Sequence, residues 1–114
     1  MKHYEIIRIK EKYIVIAISY VNPMDEIDYI ANDLKEKGCC GKIIFDLLLC
    51  NGLNSNRYLE LYFDGNVFDI FSAKKIKIEN EMVVKELNMY MIQRGYLDKG
   101  ILQHAQIYAL KRNC

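Results

Sequence analysis

Apolar and polar positions change period several times along the chain, and each change marks an element. Tyr4 to Lys10 (YEIIRIK) partly alternates, with Tyr4 and Ile6 facing inward and Ile7 and Ile9 as further inward candidates. Glu11 and Lys12 make a short connection into YIVIAISY, which is dense in β-branched and aromatic residues and reads as a more buried strand. Asn22-Pro23 breaks the pattern, with Asn22 as a cap and Pro23 at the first helical position. Met24, Ile27, Ile30, Ala31 and Leu34 then recur at helical spacing, acidic residues come early, Lys35 and Lys37 come late, and Gly38 supplies the stop.

Gly41 to Cys50 is apolar on both faces, which suits a central strand, and the helix before it is long enough to cross over to a parallel neighbour. RYLELYF, the turn Asp64-Gly65-Asn66 and VFDIF read as a hairpin. The last third returns to helical spacing: Val83, Leu87, Tyr90, Met91 and Arg94 share a stripe ended by Gly95. Ile101, Leu102, Ala105, Tyr108 and Ala109 form another stripe with Asp98 as a candidate cap, and this segment could also contain a strand from Gln106 to Leu110. The expected fold class is α+β: a five-stranded mixed sheet with element order ββαβββαα and helices packed mainly on one face.

Composition narrows the class. With 114 residues, 52% hydrophobic, 27% charged and one proline, the sequence is that of a globular protein, read as a single domain over 1–114. Sixteen basic and fifteen acidic residues nearly cancel, so no electrostatic footprint for nucleic acid is present, and direct nucleic-acid binding is not expected. Lys74, Lys75 and Lys77, with Glu79 and Glu81 behind them, read as a solvated edge. The charged N-terminus carries no signal-peptide core, and the longest apolar run, Tyr13 to Tyr20, is far short of the roughly 20 residues that span a bilayer. The expectation is a cytoplasmic protein with no membrane association. Cys39, Cys40, Cys50 and Cys114 have neither CxxC nor zinc spacing and read as reduced thiols, with no metal and no cofactor expected.

Candidate chemistry concentrates in FDLLLCNGLNSNRY. Asp46 sits inside an otherwise apolar strand, and a buried carboxylate must be paired or neutral. Arg57 follows the intervening loop closely enough to fold back on it, so a structural pair, a partner-binding surface and catalysis all remain open. Asp64 has a turn role and Asp69 faces outward, so a catalytic carboxylate pair is not required by the spacing. His3 and His104 are scattered, no serine has a nucleophile-elbow context, and no phosphate-binding glycine motif occurs. No catalytic residue is assigned. Nine tyrosines and no tryptophan could furnish an interface.

The stretch GKIIFDLLLCNGLNSNRYLELYFDG resembles the central segment of the RnlB-type antitoxins, partners of RnlA-type endoribonuclease toxins. The matching positions are Gly41, Ile43, Phe45, Asp46, Leu47, Leu48, Asn51, Gly52, Asn56 and Arg57, followed by the aromatic Tyr58. The resemblance implies a non-enzymatic antitoxin that binds and neutralises a cognate endoribonuclease toxin in a system linked to phage defence, with a homodimer left open. Asp46, Asn51, Gly52, Asn56, Arg57 and Tyr58 are then the motif or partner-binding residues. An Asp46–Arg57 pair would fix the loop Asn51 to Asn56 in one shape, and that loop or the sheet face beside it would then meet the toxin. Two rivals come from other classes. One is a small enzyme or ligand-binding domain with a pocket at Asp46, Asn51, Asn56 and Arg57; the other is a self-associating structural protein.

Overall fold

A computed structural model describes residues 3–9, 13–19, 23–49 and 57–95 of the chain, and side chains throughout these except at 13–19, 23, 48 and 49. The elements are β1 (Tyr4–Ile9), β2 (Tyr13–Ser19), a 3-10 turn (Pro23–Glu26), α1 (Ile27–Glu36), β3 (Gly41–Leu49), β4 (Tyr58–Phe63), β5 (Phe68–Ile76) and α2 (Glu81–Gln93). The chain divides into two compact units, Met1–Ile78 and Glu79–Cys114.

In the first unit the strands lie in the order β1-β2-β3-β4-β5. β1 is antiparallel to β2, β2 is parallel to β3, and β3–β4–β5 is an antiparallel meander. The parallel pair is reached through the 3-10 turn and α1, as a crossover requires. β3 is apolar on both faces because it lies between two partners and is buried from both sides: Ile43, Ile44 and Phe45 are each at most 2% exposed.

One face of the sheet packs against α1. Ile30 and Leu34, one helical turn apart, meet Tyr4, Ile43, Phe45, Leu61 and Phe63 in a single core. Phe68 closes its edge, meeting Phe45 edge-on at 5.6 Å and Phe63 at 4.8 Å between ring centroids. The Tyr4 hydroxyl donates to Asp33 Oδ2 at 2.5 Å and ties β1 to α1. The helix ends in a Schellman motif: Gly38 N–H bonds the Lys35 carbonyl and Cys39 N–H the Leu34 carbonyl, with Gly38 at φ +69°. On the opposite face Ile7, Ile9, Ile44, Asp46 and Tyr58 are also buried.

The expected arrangement is corrected on several points. Antiparallel continuity is confined to the three strands β3–β4–β5, because β2 joins β3 in parallel. Of the expected helices, α1 covers one face of the sheet and α2 belongs to the second compact unit. Among the described residues the element order is ββ, a 3-10 turn, then αβββα. The second terminal helix, expected around Ile101 to Ala109, lies outside the described residues. The first helix starts at Ile27 rather than Pro23, because Pro23–Glu26 winds as a 3-10 turn; its expected cap, Asn22, is also outside the described residues. β1 alternates only in part, as expected: Tyr4, Ile7 and Ile9 are all buried.

In the second unit, α2 opens on Asn80, whose side-chain oxygen accepts from Met82 N–H at 3.0 Å. Val83, Leu87 and Met91, four residues apart, form its buried stripe, while Tyr90 is half-buried and Arg94 exposed. The Arg94 guanidinium lies 5.0 Å from the Tyr90 ring centre, and Gly95 follows as the terminating residue.

Candidate functional site

Strand alternation fixes where Asp46 points. Ile43, Phe45 and Leu47 face α1, so Lys42, Ile44 and Asp46 face the other way. Asp46 stands opposite Tyr58 on β4, and its side chain is fully buried. An isolated carboxylate in that position would be prohibitively costly. Arg57, the residue just before β4, supplies the counter-charge in a two-pronged contact. Its Nε donates to Asp46 Oδ1 at 2.9 Å and its Nη2 to Asp46 Oδ2 at 2.8 Å. This is the fork geometry that makes arginine the preferred partner of a buried carboxylate.

The backbone reinforces the same junction. Leu47 N–H donates to the Arg57 carbonyl at 2.7 Å, so the chain leaving β3 and the chain entering β4 are held by main chain and side chain together. The guanidinium also lies 5.0 Å from the centre of the Tyr58 ring, within cation–π range. Burial alone would lower the affinity of Arg57 for its proton. The hydrogen bonds and charge of Asp46, with a smaller contribution from Tyr58, leave it raised above its ordinary value. Burial raises the Tyr58 phenol, Arg57 pulls it back and Asp46 raises it further, leaving it pushed up to about 12. The Tyr58 hydroxyl is buried and has no hydrogen-bond partner among the described residues.

Three of the six residues singled out from sequence therefore come together: Asp46, Arg57 and Tyr58. Asn51, Gly52 and Asn56 lie outside the described residues. The other carboxylates do not join the site. Asp64 is exposed and accepts from Asn66 and Val67 N–H at 2.8 Å each, which holds its own carboxyl below the usual carboxylate range. Asp69 is exposed and accepts from Phe71 N–H at 3.1 Å. His3 Nδ1 meets Glu26 Oε1 at 2.5 Å, far along the chain from any other histidine. Among the described residues, no group of three or more His, Cys, Asp or Glu side chains is placed to hold a metal ion. Cys39 and Cys40 are free thiols.

The sequence reading missed a second feature, on the β4–β5 hairpin. Glu60 pairs with Lys74 and Tyr62 with Asp69, so Leu61 alone on β4 faces the four residues Ile70 to Ala73 on β5. The resulting bulge pushes Phe71 fully into solvent, with Ile70 57% exposed. A signal was present: strand alternation puts Phe71 on the same side as the outward Asp69.

The described residues thus define a small α+β scaffold with a buried ion pair stapling one strand junction and a solvent-facing apolar hairpin. No helix among them is long and apolar enough to cross a membrane. A family model described as antitoxin to bacterial toxin RNase LS or RnlA matches residues 12–103, and the chain belongs to that family. It is also 30% identical to antitoxin LsoB of Escherichia coli O157:H7, an alignment covering 97% of this chain and 94% of the relative. The role is that of an antitoxin in a toxin–antitoxin system, with a toxin protein as its partner.

Proposed function

We propose that this chain neutralises an RnlA-type endoribonuclease by binding it, in the cytoplasm and as part of a defence against phage. It acts as a surface and carries out no chemistry of its own. The family match over residues 12–103 carries this reading, because it spans the segment that Asp46 and Arg57 staple. On this view the pair fixes the ends of the loop holding Asn51, Gly52 and Asn56, and that loop belongs to the toxin-binding surface. Such a scaffold lowers the cost of ordering the surface at the moment of binding.

The rival reading, a ligand pocket built on Asp46 and Arg57, loses support from the same geometry. Their charges are directed at each other, so an incoming anion would have to displace Asp46 from both prongs of the guanidinium. Co-expression tests the proposal. The cognate toxin alone should arrest growth and degrade RNA, while this chain restores growth and co-purifies with it, and the mass of the complex reports its stoichiometry. Unrelieved arrest, with no complex recovered, would overturn the reading. Thermal stabilisation by a nucleotide or metabolite instead would favour the pocket.

A further inference from the structure

Of the large hydrophobic side chains exposed among the described residues, four lie on the β4–β5 hairpin: Tyr62 at 50%, Val67 at 56%, Ile70 at 57% and Phe71 at 100% exposure. Scattered exposed apolar residues are ordinary, but a fully exposed phenylalanine flanked by such neighbours is not. The bulge that presents it is well braced. Ser72 Oγ accepts from Tyr62 N–H at 2.8 Å and donates to the Asp69 carbonyl at 2.5 Å, and Asp69 Oδ1 takes the Phe71 N–H. Lys35 Nζ donates to Asn66 Oδ1 at 3.0 Å and ties the hairpin turn to the end of α1.

We propose that this hairpin also grips the toxin, with Phe71 entering an apolar pocket whose rim is acidic. The inference rests on the reading of the chain as a toxin-binding antitoxin. Charge decides the rim. Lys74, Lys75 and Lys77 are all exposed just beyond the bulge. Lys74 is 62% exposed and its pair with Glu60 spans 3.5 Å, so it is available to a partner at little cost. The Asp69 carboxylate is turned to its own backbone. Exposed Asp64 and Asp69 lie towards the turn and Lys74, Lys75 and Lys77 at the far end of β5. The hairpin thus offers an apolar centre bordered by cations at that far end, which complements an apolar pocket with anions on the matching side of its rim.

A second copy of this chain is a poorer occupant. Two edges pair through a regular ladder, and the bulge interrupts the ladder at Ile70 to Ala73. RNA is poorer still. Two exposed aromatics, Tyr62 and Phe71, beside two aliphatic side chains make a small stacking platform, and the net charge of +1 supplies little field to hold a phosphate backbone against it.

The test is a titration of the full-length cognate toxin with the purified wild-type chain, Phe71→Asp, the double variant Lys74→Glu/Lys75→Glu, and Tyr29→Ala as an exposed control on α1. Phe71→Asp is expected to weaken binding at least about tenfold with an unchanged thermal midpoint, since Phe71 contributes nothing to the core. The lysine variant is expected to slow association and flatten its salt dependence, and Tyr29→Ala to bind as the wild type. A Phe71→Asp variant that binds as tightly as the wild type overturns the inference and leaves the antitoxin reading intact. A wild-type chain that does not bind the toxin overturns both. Dependence on Phe71 that shows up instead in self-association, or in binding to a single-stranded RNA oligonucleotide, overturns the assignment of the toxin as occupant.

Discussion

Replacing Asp46 by alanine removes both acceptors of the Arg57 guanidinium while its side chain, only 19% exposed, stays largely out of water. The expected loss is about 3–5 kcal/mol, read from urea unfolding, because an unmatched buried charge costs far more than an intact pair contributes. The double variant Asp46→Leu/Arg57→Met should lie closer to wild-type stability than either single change, since both charges leave together. If the double variant were the worst of the three, the pair would have to supply net stability beyond mutual neutralisation. Tyr58 gives a second expectation. Its hydroxyl has no partner among the described residues, so Tyr58→Phe should leave stability unchanged or raise it, by up to about 1 kcal/mol. The raised phenol also sets a pH dependence. A group raised in the folded state stabilises below its unfolded value and ceases to do so as pH climbs through the folded one. For Tyr58 that loss runs from about 10 to about 12 and should be absent in Tyr58→Phe, as unfolding at alkaline pH will reveal.

At the scale of elements, the sequence made visible whatever its local chemistry alone decides. The stop at Gly38, the Asp64-Gly65-Asn66 turn and the crossover into β3 could all be read from residue type and spacing. The pairing of Asp46 with Arg57 was legible for a different reason: a carboxylate inside an apolar strand needs a counter-charge, and Arg57 was close by. What was hidden depended on long-range contacts. The β5 bulge arises from pairing with β4, which local periodicity does not encode. Gly38 provides a test at this scale. A Cβ there meets no atom within 4 Å, so Gly38→Ala strains only the backbone at φ +69° and should cost about 1 kcal/mol in thermal or urea unfolding. No loss would mean that the Schellman turn tolerates a side chain in the left-handed region.

For the molecule as a whole, near-neutral charge and membership of an antitoxin family fit a partner recognised by shape and apolar contact. The buried pair and the exposed hairpin then divide the work. Asp46 and Arg57 hold one strand junction rigid from within, while Phe71 and its neighbours face outward. The most direct measurement is cleavage of a defined RNA by the purified cognate toxin while this chain is titrated in. Cleavage should fall to background at a fixed molar ratio, with the chain itself leaving the RNA intact. Undiminished cleavage at saturating chain, or cleavage by the chain alone, would contradict it.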